Sequence, residues 1–238
     1  MKQFMILIST VLIILIGSTV ASTSSPDSQL AEFIKSSKTV QGGNDIVMTI
    51  NGKSILHSEY LVAVELQKEN IKKLTNTKEK LNKTAVNSSE NSKYLKKINQ
   101  KIQLGENQLA LAYLVHQYAI VDEAQNKGML VSLEEAKQFA ANVRKTYEND
   151  PYAEGKDFIS VLGDEYYWNE YAPQKYQIYL SEAKLKKSVA TSSNKLENEK
   201  NWDQYLFNLV KSSNIEIKDP SLKLDKNNLL KIAESYNQ

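Results

Sequence analysis

The stretch from Leu109 to Tyr147 limits what this chain can fold into more than any other. From Leu109 to Val121 it is apolar on almost every side, broken mainly by His116 and Gln117. A helix of that kind is buried among other elements. Gly128, after Asn126-Lys127, sits where a left-handed residue ends a helix. Ser132 and Glu135 then have the spacing of a capping box for a second helix. Val131 and Ala136 are placed as a hydrophobic staple, with Ala136 a small partner.

Upstream, Ile46 to Ile50 and Lys53 to Ile55 flank Asn51-Gly52, the strongest short signal for a β-hairpin. A helix is predicted from about Ser58 to Leu81 on the apolar stripe Leu61, Val64, Leu66, Ile71 and Leu74. Asn82 to Asn91 is a polar turn. Tyr94, Leu95, Ile98, Ile102 and Leu109 then resume helical spacing, so two long helices form an antiparallel hairpin. Its lysine-rich tip reads as a solvated face, with a binding surface as the alternative.

Downstream, Asp157 to Leu162 is a short helix and Gly163-Asp164 opens the next. Pro173 predicts a kink or break near Tyr171, because it has no N–H to donate. Trp202, Leu206, Leu209 and Val210 mark a further helix face, and Ile215-Glu216-Ile217 a short strand. The fold class is mainly α, with a small β element.

The N-terminus carries an address. Lys2 precedes the uncharged run Phe4 to Val20, and small residues follow at Ala21 and Ser22. This is the layout of a secretory signal peptide. A retained membrane tether through residues 4–20 is the alternative, since the run is near the lower limit for spanning a bilayer. Either places the remainder outside the cytoplasm, secreted or held at the cell envelope. The expected plan is a signal segment over 1–22, a flexible tether over 23–45 with a short helix near Gln29 to Lys35, one helical domain over 46–218, and a loosely held tail over 219–238.

Several residues together resemble the SurA/PrsA-type extracytoplasmic foldases. They are Glu123-Ala124, Lys127-Gly128, Val131-Ser132 and Glu134-Glu135. A second block is the Tyr-Trp pair at Tyr167-Trp168 after an acid-rich start, with Tyr171-Ala172-Pro173 and Tyr176. The entry through a strand, Asn51-Gly52 and a helix opening at Ser58-Glu59-Tyr60 is similar too. The resemblance covers about Ile46 to Lys218 and implies a helical chaperone domain. It also implies that the late strand Ile215 to Ile217 pairs with Val47 to Ile50. Many members carry a parvulin-type prolyl isomerase domain between the later helices. Here only Ala190 to Asn201 occupies that place, and neither histidine falls in it.

Chemistry-bearing motifs are few. The chain has no cysteine, which excludes disulfides, thiol nucleophiles and cysteine metal sites. There is no metalloprotease helix, nucleophile-elbow serine or phosphate-binding glycine loop. His57 is expected exposed. His116 is read as a core or boundary residue rather than a metal ligand, and Glu134-Glu135 as helix-capping acids. With a net charge of +2 and one arginine, Arg144, no nucleic-acid partner is expected. No cofactor, metal or catalytic centre is expected.

What the resemblance implies instead is a holdase for unfolded or newly secreted polypeptides. Its apolar-aromatic groove would be lined by Tyr166, Tyr167, Trp168, Tyr171, Tyr176 and Tyr179. Aromatic rings offer large contact area at low entropy cost. The alternative for each is the core, where Tyr60, Tyr113 and Tyr118 are also expected. The rival functions are an isomerase-related foldase and an envelope scaffold that holds one partner through its helical hairpin.

Overall fold

A computed structural model describes residues 26–37, 43–83, 89–150 and 155–222. The signal segment, the hairpin turn at 84–88 and the end of the tail lie outside the described residues. The elements in order are helix α1 (Pro26–Ser37), strands β1 (Ile46–Ile50) and β2 (Lys53–Leu56), and helices α2 (His57–Lys83) and α3 (Ser89–Asn126). There follow α4 (Leu133–Glu148), α5 (Lys156–Leu162), the short α6 (Asp164–Tyr166), a π-helical turn (Tyr167–Tyr171), α7 (Ala172–Val189), α8 (Lys195–Ser212) and β3 (Ile215–Ile217). The fold is mainly helical, with one small antiparallel sheet of order β2-β1-β3.

The sheet is built around Asn51-Gly52. Both residues have positive φ, 50° and 78°, as the tight turn of a two-residue hairpin requires. β2 pairs with one edge of β1, and β3 with the other through Met48–Ile217, Thr49–Glu216 and Ile50–Ile215. The late strand thus pairs where the resemblance implies. Asn51 joins three elements. Its N–H donates to the Asn214 carbonyl (2.8 Å), its Oδ1 accepts from the Asn214 N–H (2.8 Å), and its Nδ2 donates to Asp122 on α3 (3.1 Å). Lys53 reaches the same Asp122 carboxylate at 3.7 Å.

α2 and α3 form the expected antiparallel hairpin. At its base one Glu59 oxygen accepts the Leu56 N–H (3.0 Å) and the other the Tyr118 hydroxyl (2.8 Å). α3 is interrupted at Gly105, where φ is 72° and ψ 168°. That backbone region is open essentially to glycine alone. A side chain there would meet no neighbouring atom within 4 Å, so the requirement comes from the backbone. The end of α3 closes as the sequence predicts. Gly128 has φ 65°, and the N–H groups of Met129 and Leu130 both donate to the Ala124 carbonyl, at 2.7 and 3.0 Å.

The described residues group into two compact units. One contains the sheet, α2, α3, α8 and the later part of α7. Its first core gathers Met48, Ile50, Ile55, Tyr60, Leu111, Val115 and Val210, with Tyr113 and Tyr118 packed against it. Its second gathers Ile120, Ala124, Leu185, Trp202 and Leu206. The apolar run from Leu109 is therefore buried, as its all-round hydrophobicity predicts.

The other unit contains α1, α4, α5, α6, the π-helical turn and the start of α7. The short helix expected near Gln29 to Lys35 is present, spans Pro26–Ser37 and packs on α5. Leu30, Ala31 and Ile34 recur at helical spacing and are buried. α4 starts as predicted: Ser132 Oγ accepts the Glu135 N–H (3.1 Å), and Val131 and Ala136 are both fully buried.

Candidate functional site

The six aromatic residues from Tyr166 to Tyr179 stand on one run of chain, and their positions follow from how Pro173 is accommodated. An α-helix through Pro173 would leave the Asn169 carbonyl without its usual donor. Instead the backbone widens into the π-helical turn, where the Ala172 N–H donates five residues back to the Tyr167 carbonyl. The sequence predicts a kink or break; the structure keeps a helix by adding a residue to one turn.

That turn directs Tyr167 and Trp168 inward. Tyr167, Trp168 and Tyr176 are 1%, 3% and 3% exposed. Tyr167 meets Trp168 edge to face at 4.7 Å, Trp168 meets Tyr147 at 5.6 Å, and Tyr176 meets Phe139 at 5.0 Å. Phe158 of α5 packs on Tyr167 and Tyr171 at 6.1 and 5.8 Å. These three candidates are thus the core of their unit and offer no face to a client, because their rings are consumed by one another. Phe139, Tyr147 and Phe158 are members that the sequence analysis missed. The signal for the first two was the stripe Ala136, Phe139, Ala140, Val143 and Tyr147 along α4.

Tyr166 and Tyr171 are only half-buried, and Tyr171 edges the cluster through its contacts with Phe158 and Tyr167. Lys175 Nζ lies 5.7 Å from the centre of the Tyr171 ring. Tyr179 is half-buried and belongs to the other unit. Burial pushes the Tyr167 hydroxyl well above the ordinary tyrosine range, reinforced by Tyr176, Tyr171 and Tyr147. Burial also raises Tyr147 to about 12, with Asp157 and Asp164 adding to it. Both shifts favour the neutral phenol, which packs in this apolar setting.

Other polar clusters bind the fold together. Arg144 reaches Glu148, Asp164 and Glu165, tying α4 to α6. The Tyr205 hydroxyl donates to Glu123, and Lys127 lies 3.2 Å from the same carboxylate and 4.8 Å from the Tyr205 ring. His116 Nε2 lies 3.8 Å from Glu182 Oε1. Burial lowers the His116 pKa, and the Glu182 charge opposes that shift. Among the described residues, no three His, Cys, Asp or Glu side chains converge as metal ligands. No described helix is long and apolar enough to cross a membrane.

Searches against protein-family models, curated proteins and solved structures return no match to this chain.

Proposed function

We propose that this chain is an extracytoplasmic chaperone that holds unfolded or newly secreted polypeptides without catalysing a reaction on them. The observation that carries this is the closure of the sheet. An early hairpin pairs with a strand that follows the last helix, in the order that the foldase resemblance implies. α7 and α8 are joined by the short link 190–194, so no further domain interrupts the helices there. Ser192 and Asn198 fix that link by reciprocal hydrogen bonds, and the Asn194 side chain caps α8.

Client contact is assigned to the half-buried Tyr166 and Tyr171, not to the buried Tyr167, Trp168 and Tyr176. A phenol ring there presents apolar area while its hydroxyl tolerates water, which suits transient contact with exposed apolar segments of many sequences.

The test is light scattering from a chemically unfolded client diluted into buffer with and without the purified chain. Suppression at near-stoichiometric ratios is expected for unrelated clients. The double variant Tyr166→Ser, Tyr171→Ser is expected to keep its melting profile and to need several-fold more protein for the same suppression. Trp168→Ala serves as the contrast. Removing a large buried ring costs about 3–5 kcal/mol, so any loss there accompanies a lower melting temperature. Absence of suppression for several clients overturns the proposal, and capture of one stoichiometric partner replaces it with the scaffold function.

A further inference from the structure

The charges of this chain are segregated. Residues 68–101, the outer part of the α2–α3 hairpin, contain ten lysines and three glutamates, a net charge of +7, against −5 for the rest of the chain. Lys80, Lys83 and Lys96 are exposed, and Lys73 and Lys97 half-exposed. Of the arm's lysines, Lys68 and Lys72 are paired, with Glu65 and Glu69. Lys73, Lys83 and Lys96 make no ion pair among the described residues, whereas Lys97 feels the opposite charge of Asp203 on α8. The cations also act on one another: Lys101 has its pKa lowered first by burial and then by Lys97. Concentrating this much like charge is unfavourable unless an anion meets it.

The arm also has the reach to present that charge. Lys83 is the last residue of a helix that starts at His57, roughly 40 Å along its axis at ~1.5 Å per residue. The Debye length is about 8 Å at physiological ionic strength, so the sheet end of the helix does not screen its tip.

We propose that this arm docks on an anionic phospholipid surface. Three features favour a bilayer over other polyanions. The charge is entirely lysine, a point charge suited to diffuse attraction by headgroups, and the arm has no arginine for bidentate recognition of single phosphates or bases. Tyr94, 49% exposed, stands among the lysines, and tyrosine is the residue type that settles at the headgroup level. Beside it, Leu95 and Lys96 line a shallow open depression of about 570 Å³ on α3 with Ser92, Asn99, Gln100 and Gln103, a face of mixed polar and apolar lining. The arm would attach the protein to the membrane separately from any contribution of the Phe4 to Val20 run.

Co-sedimentation of the full chain with vesicles tests this. Vesicles of phosphatidylglycerol and phosphatidylcholine in equal parts are compared with phosphatidylcholine alone, which accounts for the N-terminal apolar run. Tighter binding to the anionic vesicles, weakened by added salt, is expected. The variant with Lys73, Lys80, Lys83, Lys96 and Lys97 all changed to Gln is expected to lose that preference by more than ~100-fold, at ~5-fold per lysine. Should the variant unfold, the salt dependence of the unaltered protein decides instead. Equal binding to both vesicle types overturns the proposal. So does binding to soluble polyphosphate but not to anionic vesicles, which would mark the arm as a polymer-binding surface. Chaperone activity in the scattering assay is independent of either result.

Discussion

His116 shows how one residue is set by its surroundings more than by its type. In the apolar run of α3, burial lowers its pKa while the charge of Glu182 pulls the other way. A histidine whose folded pKa is depressed contributes stability above its unfolded value of about 6.5, and that stability is lost as pH falls through the folded value. Unfolding free energy is therefore expected to decline below about pH 6.5, by up to ~1.4 kcal/mol per pH unit from this group. In urea titrations across pH 4–7, His116→Gln should flatten that acid limb. An unchanged limb would assign it to other groups. The sequence identifies His116 as a core or boundary residue from its apolar neighbours. Its pairing with Glu182, 66 positions later, is a tertiary fact that no local pattern carries.

At the level of elements, Gly105 and the π-helical turn make opposite use of irregularity. Gly105 breaks α3 with a conformation that other residues adopt only under strain. Gly105→Ala is expected to cost about 1–3 kcal/mol, read as a lower denaturation midpoint with unchanged slope. Since nothing crowds the position, a null result would mean that the two halves of α3 straighten into one helix. The Tyr167–Tyr171 turn, by contrast, keeps a helix going where Pro173 would stop it. Elements with strong local chemistry were legible in sequence: the Asn51-Gly52 hairpin, the Gly128 stop, the Ser132 cap and the closing strand at Ile215. A bulge and a glycine kink were not, because each answers to packing on both sides of it. The aromatic run was legible as a cluster, but not as core or surface. Partial exposure of Tyr166 beside the burial of Tyr167 depends on which way one widened turn points.

At the scale of the molecule, mainly α architecture with a hairpin arm followed from periodicity, while the division into two units did not. The unit with the aromatic core draws on two stretches, 26–37 and 131–177, and its first stretch has a composition that reads as a linker. Removing residues 1–42 should therefore do more than shorten a tether. It strips Leu30 and Ile34 from α5, two side chains worth about 1.5–3 kcal/mol each when fully buried. Hydrogen exchange is expected to show α4 and α5 losing protection by several kcal/mol, while β1 and α3 keep theirs. Retained protection in α4 and α5 would make α1 dispensable.

The pairing of β1 with β3 also imposes a timetable. A chain emerging N-terminus first produces Met48 long before Ile217, its partner 169 positions later. Until then the central strand has one covered side and one row of open backbone groups, the kind of edge that recruits stray strands. α1 waits likewise for α5, more than a hundred residues downstream. Neither unit can finish until the chain is mostly out, so slow maturation and an early need for protection from other chains are built into the order of its residues.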